Sequence, residues 1–398
     1  MTRMPLLLRN ATPWGSAGPA DVTVDSGRIA AIGGPAPADA DIVDLTGCVL
    51  LPGFVDAHCH LDKTLWDGPW VPNTAGPRLT DKIAYTRAGR AGHGVPSVDR
   101  IAALLRRMAA AGTTRVRTHT DVSPEFGLDG VYAVREAAER VADRITVQQV
   151  AFPQYGRLIN AGTAELMERA LRTGVAQVAG GIDPAGVDRD PVRHLDTVFG
   201  LATTYDVPID LHLHDRGTLG AWEFELIIER TLSTGMRDRV TIGHGFALGD
   251  VAADRQDELI AGLAEAGIAL ATCAAHNDPL LPLDRLRAAG VTVAAGNDGI
   301  RDLWSPYGDG DMLHRAHRLA ERMSYCSDPE IETALAAATF GGARALRLDD
   351  YGLRPGAVAD LVAVPARTAA EAVVGCAPRR TVLRAGRIAA DTPTVATR

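Results

Sequence analysis

Eight short runs rich in β-branched and small apolar residues, separated by stretches with apolar residues at helical spacing, constrain this chain more than any other feature. The runs cover residues 53–58, 113–119, 145–152, 177–182, 207–212, 240–244, 268–273 and 291–298. Helical patterns lie between them, for example over 98–111, 130–141, 219–234 and 254–266. Strands that alternate with helices pair in parallel through crossover connections, and eight such units predict a closed (β/α)8 barrel. A chain of 398 residues is long enough for that barrel and one small accessory unit.

The flanks read differently. Residues 6–51 and 351–388 are short alternating segments broken by Gly, Pro and Asp, as in Asp21-Val-Thr-Val-Asp-Ser-Gly-Arg-Ile. Two such pieces are each too small to hold a core, so the two ends are expected to build one β-sandwich from residues 1–52 and 350–398, with the barrel over 53–349. Apolar residues at 46% and charged residues at 23% exclude a disordered or fibrous chain. A net charge of -8 without a basic cluster argues against a nucleic-acid partner and leaves free small molecules. The apolar run near the N-terminus is too short for a signal-peptide core and no stretch has membrane-spanning length, so a cytoplasmic enzyme without a membrane partner is expected. The five cysteines, Cys48, Cys59, Cys273, Cys326 and Cys376, are odd in number and scattered, which points to neither a disulfide framework nor a cysteine zinc site. A homo-oligomer is compatible with all of this.

Polar residues gather where barrel enzymes collect their chemistry, at the C-terminal ends of the strands. His58 and His60 end the first run two residues apart, so strand alternation points both imidazoles into the barrel mouth and Cys59 away from it. His212 ends the fifth run, His244 the sixth and Asp298 the eighth, adding two nitrogen donors and one oxygen donor around the same mouth. A lone strand-end histidine is more often a hydrogen-bonded packing residue. The joint arrival of these residues is hard to obtain by packing alone, and predicts a single metal centre.

Gly53-Phe-Val-Asp-Ala-His-Cys-His, His212, Gly243-His-Gly and Gly296-Asn-Asp resemble the amidohydrolase superfamily, metal-dependent barrels that hydrolyse C–N bonds. Gly356-Ala-Val-Ala-Asp-Leu-Val-Ala-Val and Val382-Leu-Arg-Ala-Gly-Arg look like its closing sandwich strands. More narrowly, His60-Leu-Asp-Lys-Thr, Arg117-Thr-His-Thr-Asp-Val, Val150-Ala-Phe-Pro-Gln, and Asp298 with Trp304 resemble the cytosine deaminase branch. The resemblance implies metal ligation by His58, His60, His212 and Asp298. His244 would stand beside the hydrolytic water, Gln154 would hold the ring edge and Trp304 would wall the pocket. Many relatives bind two ions through a carbamylated lysine on the fourth strand. The only lysines here are Lys63 and Lys82, both far earlier, so one divalent ion, zinc or iron, is expected.

One position departs from the branch: where its members carry a glutamate three residues after the fifth-strand histidine, this chain has Asp215. The shorter carboxylate is expected to shuttle a proton to a ring nitrogen from farther back, which suits a different natural substrate. His214 replaces an acidic residue and either bonds the pocket rim or is solvated. His119, beside Asp121, lines the pocket as a substrate contact, braces a metal ligand, or packs. Lys63 reads as a positioning residue. His276, Asp278 and Asp302 carry no assigned role, and Arg216 and Arg301 either meet an anionic substrate or are solvated. The implied reaction is hydrolytic deamination of an amino-substituted N-heterocycle, a cytosine-like pyrimidine or related ring, with Asp298, His244 and Asp215 as the catalytic groups. A cyclic amide or N-alkylamine hydrolase is the alternative. Residues 67–95 and 301–311 have the Gly and Pro content of a lid.

Overall fold

Each of the eight β-rich runs forms a parallel strand. In a computed structural model, which describes residues 4–275, 278–379 and 381–391, these are β1 (Phe54–Cys59), β2 (Thr113–Asp121), β3 (Thr146–Phe152), β4 (Val178–Ile182), β5 (Ile209–Leu213), β6 (Val240–His244), β7 (Ala269–Thr272) and β8 (Val293–Ala295). They neighbour one another in chain order. The ring closes where the Asp298 N–H donates to the His58 carbonyl at 2.8 Å. This is the expected (β/α)8 barrel.

Two strands, β2 and β8, differ from their expected spans by two residues or more with a visible local cause. β2 runs on to Asp121, which pairs with Phe152 at the end of β3. β8 is short because Asn297 leaves the ladder, giving its N–H to the Asp56 carboxylate at 3.1 Å, and Asp298 adopts φ +63°. Register aligns the strand ends: His212 pairs with Ile182 on one side and Gly243 on the other, so these positions sit at one height in the mouth.

The helices pack one face on the outside of the barrel. Pro191–Thr204 starts at Asp190, whose carboxylate accepts the Arg193 N–H, with Pro191 preset for the first turn. It buries Leu195, Val198, Phe199 and Ala202, spaced to form one stripe. Each of the three large apolar side chains contributes about 1.5–3 kcal/mol of burial. No helix among the described residues is long and apolar enough to cross a membrane.

Both ends of the chain meet in a second, eight-stranded sheet. Leu361–Pro365 pairs antiparallel with Cys48–Pro52, directly ahead of β1. Leu6–Pro13 bends at Asn10, φ +58°, so its first half pairs with Ala20–Asp25 and Asp41–Asp44 and its second half with Cys48–Pro52. The bend folds the sheet over a core of Leu8, Ala11, Val24, Ile29, Leu50, Leu361 and Leu383. This is the expected sandwich built from both termini. Asp360 joins it to the barrel by accepting Arg115 of β2 at 2.5 Å and Arg384 at 2.8 Å.

Candidate active site

The strand ends bring five of the singled-out residues together. His60 Nε2 lies 3.2 Å from His212 Nε2 and 3.3 Å from Asp298 Oδ1, and His58 Nε2 lies 3.9 Å from the same carboxylate oxygen. The His244 ring centre is 4.8 Å from that of His58 and 5.1 Å from that of His212. Two glycines permit this approach. A Cβ at Gly243 would stand 2.8 Å from the His58 ring, and one at Gly296 would stand 2.5 Å from the His58 carbonyl. The backbone is strained at both chemistry-bearing ends, with His244 at φ +66° and Asp298 at φ +63°, a cost of roughly 1–2 kcal/mol each.

The donor set fits a metal ion. His60 Nδ1 is 3.0 Å from the His119 carbonyl, which can only accept, so the proton sits on Nδ1 and the Nε2 lone pair faces the cluster. That lone pair looks at another imidazole nitrogen and at a carboxylate, an electron-rich arrangement that a cation relieves. Within the described residues, neither nitrogen of His58, nor His212 Nδ1, nor His244 Nε2 has a hydrogen-bond partner, although all are buried. Donor atoms of His58, His244 and Asp298 lie within 4.8 Å of one another, as do those of His58, His119 and His212. Burial, reinforced by the neighbouring imidazoles, holds the pKa of His58 and His212 well below the usual histidine range. Burial brings His60 down to about 4 and His244 to about 3. Burial works against ionisation of Asp298, yet the close approach of His60 and the surrounding imidazoles holds its pKa well below the usual carboxylate range. Neutral imidazoles and one carboxylate are the ligand forms a divalent ion requires.

A narrow cleft opens above the cluster, lined by Lys63, Gln154, His214, His244, Asp302 and Trp304 among others. It leads into a cavity of about 1000 Å³, ample for a heterocyclic ligand. The two Gly- and Pro-rich segments singled out in the sequence face each other here: Asn73 donates to the Leu303 carbonyl at 3.0 Å, and Lys82 Nζ sits 5.6 Å over the Trp304 ring.

Several of the singled-out side chains stand away from the cleft. Asp215 does not line the cleft. Its carboxylate accepts the Gly186 N–H at 2.7 Å and is hydrogen-bonded to Glu223, and both acids are raised, first by burial and then by a neighbouring charge, that of Asp183 for Asp215 and that of Asp215 for Glu223. The side chain at the mouth is instead the neighbouring His214, whose Nδ1 lies 2.8 Å from Asp183 and whose ring stacks on His244 with centroids 4.3 Å apart. Burial disfavours its charged form, but the Asp183 carboxylate outweighs that and raises the pKa. Asp183 directly follows β4, the one signal that would have marked this pair. His119 lies beneath the cluster and outside the cleft, its ring 4.2 Å from that of His58 and its Nε2 3.1 Å from Asp210. Arg216 is engaged by Asp250 at 2.7 Å, and Arg301 lies over the Trp66 ring at 4.5 Å. His276 falls outside the described residues.

Comparison with known proteins agrees with this geometry. The family described as "Amidohydrolase family" matches residues 41–99 and 79–390. The chain is 43% identical to N-isopropylammelide isopropylaminohydrolase from Burkholderia multivorans in a crystal structure, with a TM-score of 0.93 over 97% of this chain and 98% of that one. It is 32% identical to N-isopropylammelide isopropyl amidohydrolase of Pseudomonas sp. strain ADP over 87% of each chain. A crystal structure of 5-methylcytosine deaminase from Klebsiella pneumoniae with 5-fluorocytosine matches at 26% identity and a TM-score of 0.87, covering 99% of both chains. The chain therefore belongs to the amidohydrolase family, in its cytosine deaminase-like branch, and is a hydrolase of carbon–nitrogen bonds.

Proposed function

We propose that this protein removes an exocyclic amine from an amino-substituted nitrogen heterocycle by metal-dependent hydrolysis. The observation that carries the reading is the cluster of His58, His60, His212 and Asp298 beneath a cleft lined by Gln154, Trp304 and His244. His58, His60, His212 and Asp298 would hold a single divalent ion. Bound there, zinc or iron would supply the Lewis acidity that brings the pKa of a water towards roughly 7.

The chain's own groups do the rest. Asp298, ionised and lining the cleft, takes a proton from the attacking water, with His244 beside it to orient that water. Gln154 fixes the ring and Trp304 walls it. His214, held in orientation by Asp183, delivers a proton to the departing nitrogen. Water's oxygen forms a bond to the ring carbon as the carbon–nitrogen bond breaks, leaving a ring oxo group and a free amine.

The leaving group is an alkylamine on this reading, because relatives at 43% and 32% identity carry isopropylamine hydrolysis in their names. Release of ammonia is the second reading, supported by the likeness to 5-methylcytosine deaminase. Incubating metal-replete protein with amino- and alkylamino-substituted triazines, pyrimidines and pterins, with chromatography for the released amine, tests both. Alkylamine release that a chelator abolishes and zinc restores is the expected result. Absence of any amine from the whole panel would overturn the proposal.

A further inference from the structure

The orientation of His214 traces back to a carboxyl group that lines neither the cleft nor the larger cavity. Asp183 holds the imidazole: it accepts from His214 Nδ1 at 2.8 Å and from the His214 N–H at 2.5 Å. Asp183 itself stands at φ +33°, at the head of the turn that leaves β4, a conformation that only its surroundings maintain. The Val187 N–H closes that turn on the Asp183 carbonyl at 2.8 Å. Pro184 has no N–H, and the two amides that remain are tied from outside. The Ala185 N–H donates to Glu223 Oε1 and the Gly186 N–H to Asp215 Oδ2, each at 2.7 Å. A Cβ at Gly186 would collide with the Asp215 carboxylate, so the turn sits tight against this pair of acids.

Glu223 is 0% exposed and is the only charged residue among the buried positions of the helix Gly217–Ser233. Its Oε2 finds no donor among the described residues, although Asp215 lies within hydrogen-bonding reach. Two carboxylates side by side in such a place repel, and a single proton between them removes both the repulsion and the unmet oxygen. Burial, with the charges of Asp215 and Asp183 behind it, raises the Glu223 pKa and so favours keeping that proton. As a neutral acid Glu223 donates to Asp215 through one oxygen and accepts from Ala185 through the other. The two acids then clamp consecutive amides of one turn.

Building on the amine-releasing reading above, we propose that Glu223 is a positioning residue for that reaction. Through its grip on Ala185 and its bridge to Asp215 it fixes the 183–186 turn, hence Asp183, and hence the angle at which the His214 imidazole meets the departing nitrogen. It acts at a remove of two side chains and never touches substrate. Misplacing a proton donor by about 1 Å costs up to roughly 10²-fold in rate, so a residue this far from the cleft still governs turnover.

The test combines kinetics with hydrogen exchange on the metal-replete protein. Glu223→Leu is expected to lower kcat roughly 10- to 100-fold, with KM and zinc content little altered. Glu223→Gln should stay within about threefold of wild type, because the amide oxygen can accept from Ala185 while its NH2 donates to Asp215. Adding His214→Gln to Glu223→Leu should slow the enzyme no more than about threefold beyond His214→Gln alone, since both changes remove one and the same proton delivery. By mass spectrometry, the peptide spanning residues 183–187 should exchange at least about fivefold faster in Glu223→Leu and not in Glu223→Gln, with the helix Pro191–Thr204 unchanged as the control. Should the leucine variant not fold, Glu223→Asp, one methylene too short to reach both partners, is read in its place. A kcat near wild type, losses that multiply in the double variant, a glutamine variant as slow as the leucine one, or unchanged exchange over 183–187 overturns the inference. If wild type releases no amine from any compound, the amine-releasing reading falls, and the exchange measurement alone decides whether Glu223 fixes the turn.

Discussion

Two polar clusters are stacked inside one barrel, and they differ in how their hydrogen bonds end. In the lower one, the buried Arg117 guanidinium donates to Gln148 at 2.8 Å, Asp210 at 2.8 Å, Thr241 at 3.1 Å and the Ala345 carbonyl at 2.9 Å. In the upper one, imidazole nitrogens of His58, His212 and His244 find no partner among the described residues, and the backbone is left-handed at His244 and Asp298. The same strand, β2, supplies Arg117 below and His119 above, and Asp210 touches both. A charge closed by its neighbours holds the fold, whereas lone pairs left facing one another mark where a ligand completes it.

The largest effect should come from the open cluster. Asp298→Asn keeps a side chain that tolerates φ +63°, so the melting temperature should stay within a few degrees while turnover falls roughly 10³-fold. Turnover within a few-fold of wild type would end the distinction drawn here. In the closed cluster the signs reverse: Arg117→Met leaves the Asp210 carboxylate buried without its cation. Denaturant unfolding should show a loss of about 3–5 kcal/mol, with KM of whatever protein remains folded unchanged.

Smaller effects sharpen the picture at the rim. His214→Gln should lower kcat roughly 10²-fold with KM little altered, and Asp183→Asn should follow it because the imidazole loses its orienting partner. Asp215→Asn should change kcat less than about threefold; a loss matching that of His214→Gln would return the proton shuttle to the aspartate. The smallest effect concerns Glu223. Its pKa is raised in the folded protein, by burial first and by Asp215 next, so the unfolded chain releases this proton at lower pH than the native one does. Native stability therefore falls as pH climbs through and beyond the ordinary glutamate range, and Glu223→Gln should flatten that slope in thermal melts from pH 4.5 upward.

Periodicity made the barrel and its inward-facing histidines legible, because the alternation that sends His58 and His60 to one side needs no tertiary information. It gave direction without depth. His119 points inward as expected, but it sits one level lower than the cleft, a height fixed only by register against Val150. That His214 and not Asp215 faces the cleft was hidden for a related reason: both lie beyond the last residue of β5, where alternation ends and the loop path decides. Lys63 was noticed only for its nearness to the histidine pair. Its grip on Gln154 spans 91 residues of chain and no local pattern announces it.

The antiparallel pairing of Leu361–Pro365 with Cys48–Pro52 has a consequence for biosynthesis. The segment leading straight into His58 and His60 lacks its neighbour until roughly 300 further residues have been translated, which takes on the order of 15–60 s. During that interval the strand directly ahead of the imidazole pair has one flank unzipped, and Leu361–Pro365 fasten it only late in synthesis.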